Sequence, residues 1–187
     1  MKKIILGLIV TGLSLTTHLF SQTPNNTDRG YLVKVGDQAP DNFELTLTDG
    51  TKTSLKALRG KVVVLQFTAS WCSVCRKEMP ELEKQVWQTY KDRDFVLIGV
   101  DRDEPLEKVK TFKKAMNVTY PFALDPGADI FGRFAAKEAG VTRNVVIDRK
   151  GKIAFLTRLY DQKEFNTMIS VIDRLTKGPT ARNIDSK

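Results

Sequence analysis

Phe43, Leu45 and Leu47 alternate with polar neighbours and run into Asp49-Gly50, a hairpin turn signal that predicts a returning strand over Thr51 to Ser54. At Val62 the pattern changes. Val62 to Phe67 is a continuous apolar run broken only by Gln66, as expected of a strand buried on both faces, and Phe95 to Val100 is a second. Between them Met79, Leu82, Val86 and Tyr90 recur at three- and four-residue steps, with Glu81, Lys84 and Lys91 turned away, which predicts an amphipathic helix. The same spacing in Leu106, Val109, Phe112 and Met116 predicts a helix over Glu104 to Met116, and a short helix is expected over Ala128 to Ala136.

Val145 to Ile147 and Ile153 to Leu159, joined by a turn at Arg149-Lys150-Gly151-Lys152, predict a second hairpin. A last helix starts at Asp161 with Glu164 three positions on, a capping-box arrangement, and buries Phe165, Met168, Ile169, Ile172 and Leu175. Strand, helix, strand, helix, antiparallel hairpin and helix in that order predict an α/β sandwich with a mixed central sheet flanked by helices. Residues 62 to 100 form one strand–helix–strand unit, whose crossover is expected to be right-handed.

The ends of the chain follow other rules. Lys2 and Lys3 precede an apolar run from Ile4 to Leu15, and a more polar stretch ends at Phe20-Ser21-Gln22, with Leu19 and Ser21 at the cleavage-site positions. That order predicts a secretory signal over residues 1–21 and an exported, periplasmic or otherwise extracytoplasmic protein. The apolar run is short for a membrane span, which takes about 20 residues. The membrane is therefore a partner only if this segment stays uncleaved. Residues 22–32, with Pro24, Asn25, Asn26 and Gly30, read as a flexible leader. The folded domain is expected over 33–176, followed by a polar tail at 177–187.

Composition adds little: 41% hydrophobic and 28% charged residues are ordinary for one globular domain. The formal charge of +8 comes from basic residues scattered among acidic ones, a solvated mixed surface rather than a nucleic-acid site. The cysteines say more. There are two in the chain, Cys72 and Cys75, separated by two residues at the start of the first predicted helix. A disulfide closing so short a loop stabilises little, because loop-closure entropy grows with loop length. Reactivity is the better reason for the pair.

A thiolate is the attacking species, and a helix N-terminus with its unpaired N–H groups favours it. Arg76 and Lys77 add positive charge within one turn, and Glu78 partly opposes them. Cys75, one turn along, can reach the sulfur of Cys72 and resolve a mixed disulfide formed there. A structural zinc site needs four ligands, and the only histidine, His18, lies in the signal segment. Covalent haem attachment wants His directly after the second Cys, where Arg76 stands. No metal and no other cofactor is expected, and a site shared by two chains or an inert pair remain the alternatives to redox chemistry.

Trp71-Cys72-Ser73-Val74-Cys75 with Glu78-Met79-Pro80, the strand Val62 to Phe67, Phe95 to Asp101, and Gly140-Val141 through Asp148, Gly151 and Ile153 resemble the exported TlpA/ResA-like branch of the thioredoxin superfamily. The resemblance covers roughly Val33 to Leu175 and includes an N-terminal β-hairpin between Val35 and Gly50. It implies a thioredoxin-like sandwich and a thiol–disulfide oxidoreductase that reduces or exchanges disulfides in exported proteins. It also implies an upstream electron donor. Cys72 would be the exposed nucleophile, Cys75 the buried resolving residue and Trp71 the flank of the active-site loop. Pro80 would kink the active-site helix by removing a hydrogen bond.

Two positions depart from the family. Where it usually carries a cis-proline opposite the cysteines, this chain has Thr142. A cis bond before a non-proline residue costs about 2.5–4 kcal/mol, so a trans peptide is expected, with the hydroxyl beside the sulfurs. Where thioredoxin has a buried Asp six residues before the first Cys, this chain has Gln66, which leaves Glu78 as the carboxylate closest in sequence to tune Cys75. A peroxiredoxin-like peroxide reductase would need Pro and Thr or Ser where Leu65 and Ala69 stand. A redox-inert binding module on the same scaffold would not need both cysteines.

Overall fold

The alternation at Phe43 to Leu47 folds as a hairpin of β1 (Leu45–Leu47) and β2 (Lys52–Thr53) in a computed structural model that describes residues 29–177. The predicted signal at 1–21, residues 22–28 of the leader and the tail beyond Lys177 lie outside the described residues. Gly50 turns the hairpin at φ 87°, a conformation open to glycine without the penalty a Cβ would bring.

The first apolar run forms β3 (Val62–Thr68), buried at all seven positions, and the second forms β4 (Phe95–Arg102). They pair in parallel from Val62 opposite Phe95 to Thr68 opposite Asp101. The pattern did not reveal β5 (Phe122–Asp125), four residues between Pro121 and Pro126, too short to show a period. This strand runs parallel to β4 and antiparallel to β1, so it joins the hairpin to the sheet. On the other side of β3 lie β6 (Arg143–Ile147), antiparallel to it, and β7 (Ile153–Leu156), antiparallel to β6. The sheet order is β2-β1-β5-β4-β3-β6-β7.

Helix α1 (Ser73–Glu81) contains Pro80 and passes directly into a π-helical stretch, Leu82–Trp87, and a last turn, α2 (Gln88–Tyr90). Pro80 has no N–H for the carbonyl four residues back, and the wider turn begins two residues later. Met79, Leu82 and Val86 pack with Val109 and Phe112 of α3 (Leu106–Ala115) and with Phe165, Met168 and Ile172 of α5 (Gln162–Lys177). This core lies on one face of the sheet, against Val62 and Val64. The opposite face, Val63, Leu65 and Phe67, packs on α4 (Phe131–Phe134) and the N-terminal segments. Among the described residues, no helix is long and apolar enough to cross a membrane.

Several boundaries differ from the pattern for identifiable reasons. Helix α3 begins at Leu106, not Glu104, because a residue before proline is pushed out of the helical region and Pro105 is extended (φ −71°, ψ 150°). Helix α4 starts later than expected because Gly127 and Ala128 adopt positive φ (66° and 54°). Asp125 then accepts the Ile130 and Phe131 N–H groups. At α5, Asp161 caps the Glu164 N–H, but the Glu164 carboxylate turns to Arg29 (2.6 and 2.8 Å) and to the Arg158 N–H, so only half of the capping box forms. Residues 29–32 are thereby tied to the domain, with Tyr31 bridging Ala135.

Candidate active site

Strand β3 ends at Thr68, and after three intervening residues Cys72 caps the N-terminus of α1. Cys72 is extended (φ −86°, ψ 105°), and its Sγ accepts the Cys75 N–H at 3.1 Å, satisfying one of the orphan donors of the first turn. The two cysteines form a disulfide, with Cα atoms 5.3 Å apart. They are not equivalent: Cys72 keeps 8% of its surface and Cys75 none. Trp71 beside them is exposed. Arg76, expected to add positive charge near the sulfurs, directs its Nε to the Ser70 carbonyl (3.0 Å) and lies over the Phe112 ring.

The loop before β6 brings Thr142 to the pair. Its Oγ1 lies 3.1 Å from the Cys72 Sγ and 3.2 Å from the Cys75 Sγ. With both sulfurs in the disulfide, the hydroxyl carries the only hydrogen and is the donor. Among the described residues every peptide bond is trans, the Val141–Thr142 bond included. The Thr142 carbonyl accepts the Leu159 N–H, fastening the loop to the segment after β7.

Glu78 is buried, although its neighbours Arg76 and Lys77 are exposed. Its carboxyl accepts Asn144 Nδ2 at 2.6 Å and Gln66 Nε2 at 3.3 Å, and the Gln66 Oε1 accepts the Tyr120 hydroxyl at 2.7 Å. These donors are neutral. Burial outweighs them and pushes the Glu78 pKa up to about 7. Three positions after Cys75, Glu78 lies on the same side of the helix. Asn144 and Tyr120 were not picked out from the sequence. Gln66 and Asn144 are paired residues of adjacent buried strands, so two polar interruptions in apolar runs were the available signal.

A sheet wrapped in this order, with a disulfide at the start of the helix after its central strand, defines a thioredoxin-fold thiol–disulfide oxidoreductase. The Redoxin family matches residues 34–173, and the chain belongs to it. The thiol-disulfide oxidoreductase ResA of a Bacillus cereus strain is 36% identical over 121 residues, 65% of this chain and 68% of the relative. A solution structure of a candidate protein disulfide isomerase from Bacteroides thetaiotaomicron shares 60% identity at a TM-score of 0.77, covering 79% of this chain and 93% of that one. A candidate thiol:disulfide interchange protein DsbE from Chlorobium tepidum shares 28% identity at a TM-score of 0.64, covering 75% and 96%. The chain is a ResA-like thiol–disulfide oxidoreductase, an enzyme that works on dithiol or disulfide substrates. Leu65 and Ala69, which stand where a peroxiredoxin would place its Pro and Thr or Ser, are fully buried.

Proposed function

We propose that this protein reduces or exchanges disulfides in exported proteins, with Cys72 as nucleophile and Cys75 as resolving residue. The observation that carries the order of attack is the asymmetry of the pair: Cys72, on the helix N-cap, keeps a small exposed area, while Cys75 has none. In the reduced protein the Cys72 thiolate attacks one sulfur of a substrate disulfide, forming a mixed disulfide and releasing the other substrate sulfur as a thiolate. Cys75 then loses its proton and attacks the Cys72 Sγ, closing the internal disulfide and releasing the second substrate thiolate. Two electrons pass from the protein to the substrate, and an upstream dithiol donor restores the protein pair. Glu78, titrating at about 7 on the same side of α1, takes the Cys75 proton in its ionised form. The leader Lys2-Lys3 with Ile4 to Leu15 supports an extracytoplasmic location.

The test is reduction of insulin by a dithiol donor, followed as precipitation of the freed chain. The protein is expected to accelerate it well beyond the donor alone, and equal rates with and without protein would reject the reductase reading.

Thr142 takes the place of the family's proline, and its hydroxyl faces both sulfurs. Thr142→Val keeps the shape and removes the hydroxyl. A hydrogen bond to a charged group contributes about 1.5–3 kcal/mol, and one pH unit of titration corresponds to about 1.4 kcal/mol. The midpoint of thiolate absorbance on pH titration is therefore expected to move up by about one unit, with slower attack at neutral pH. Superimposable titrations would show that Thr142 only fills space.

A further inference from the structure

One buried acid has no part in the dithiol cycle. Asp101, near the end of β4 and paired with Thr68 of β3, is fully enclosed, and neither of its carboxyl oxygens has a hydrogen-bond partner among the described residues. A bare carboxylate there is costly and the neutral acid is not. Burial first and the neighbouring Glu104 second push its pKa up to about 8. A protonated Asp101 becomes a donor, and it needs an acceptor.

The carboxyl beside it is Glu104. Excluded from α3 by Pro105, it folds back, almost buried, onto the loop that leads to the cysteines. Its Oε2 accepts the Ser70 N–H at 2.5 Å, and its Oε1 accepts the Ser70 hydroxyl at 2.7 Å and Lys108 Nζ at 2.6 Å. A carboxylate offers about four lone-pair sites, so one stays open for the Asp101 O–H. Burial works against the charge of Glu104, but Lys108 and Ser70 outweigh it and hold its pKa below the ordinary range. The Ser70 carbonyl is meanwhile taken by Arg76. All three polar groups of the residue two before Cys72 are thus held, two of them by Glu104. We infer that Glu104, backed by Asp101, is a positioning residue that locks Ser70 and so sets the approach of Trp71 and Cys72 to a substrate disulfide.

This inference rests on the dithiol reading and adds a device to it. The charged groups facing Asp101 are Glu104 before α3, Lys108 on α3 and Asp125 on β5, while Arg76 on α1 faces the Ser70 side. The experiment is a double-mutant cycle on Ser70→Ala and Glu104→Gln, read as kcat/KM on insulin and as the rate of iodoacetamide alkylation of reduced Cys72. Each single variant is expected to lose about tenfold in kcat/KM, the scale of one charge-assisted hydrogen bond. The double variant is expected to lose less than the two singles combined, because both remove the bond between the Ser70 hydroxyl and Glu104. Asp101→Asn, whose amide donates at every pH, is expected to match the wild type at pH 7 and to exceed it progressively above pH 8, where the wild-type acid pair loses its proton. Unchanged kcat/KM in Glu104→Gln, additive losses in the cycle, or a flat ratio of the wild type to Asp101→Asn would each overturn the inference. Should the wild type itself leave insulin intact, the reductase reading fails, and the alkylation rates, which need no substrate disulfide, still decide the role of Glu104.

Discussion

Cys72→Ser is expected to bring disulfide turnover down to the rate of the donor dithiol alone, a loss of at least about a thousandfold, because a neutral hydroxyl replaces the only sulfur that a substrate can reach. Cys75 is fully buried and cannot substitute for it. The complementary variant tests the order of attack. Cys75→Ala retains the nucleophile but has no thiol to close the internal disulfide, so the mixed disulfide on Cys72 is expected to accumulate and to be seen by mass spectrometry as the substrate mass on the peptide carrying Cys72. Near-normal turnover in Cys72→Ser would remove the mechanism. Substrate trapped on Cys75 in a Cys72→Ala variant, with none on Cys72 in Cys75→Ala, would reverse the roles.

The parts of this fold that could be read in the chain are those where one physical demand dominates. Val62 to Phe67 is apolar on both sides because both sheet faces are covered, and the spacing of Met79, Leu82 and Val86 follows one buried helix face. Strand β5 was not legible because four residues between prolines carry no period, and its place is set by β4 and β1 instead. The site divides in the same way. Cys72 and Cys75 stand out by residue type and spacing, whereas Glu78 depends on partners 12 and 66 positions away in the chain. Its neighbours Arg76 and Lys77 are exposed, so nothing local marks position 78 as interior. Only the packing of α1 against Gln66 and Asn144 makes position 78 an interior one. The same holds for Glu104, whose link to Ser70 spans 34 positions and depends on Pro105 keeping it out of the start of α3.

The burial of Glu78 has a consequence for stability that changes sign with the side chain. Its carboxyl ordinarily titrates near 4.5 and is pushed up to about 7 in the fold. Below pH 4.5 both folded and unfolded chains hold the proton, and the site costs nothing. Between these values the folded protein binds the proton and the unfolded chain releases it, so stability falls as the pH rises through this window. Above about pH 7 both are ionised and the full cost, about 3 kcal/mol, is present. Glu78→Gln removes the titration. Its amide cannot accept from both Asn144 and Gln66, so at about pH 5 the variant is expected to be less stable than the wild type. On moving to about pH 8 its stability relative to the wild type is expected to rise by about 3 kcal/mol. Asp101 titrates in the same direction in both proteins and drops out of the comparison. Urea unfolding of the two oxidised proteins at both pH values measures this difference. Parallel stability curves would mean that Glu78 is already ionised at the lower pH. The amide also cannot take up the Cys75 proton near neutral pH, so the mixed disulfide on Cys72 is expected to be resolved more slowly by Cys75 in the variant. A decay rate equal to that of the wild type would separate the stability role of Glu78 from any part in the redox cycle.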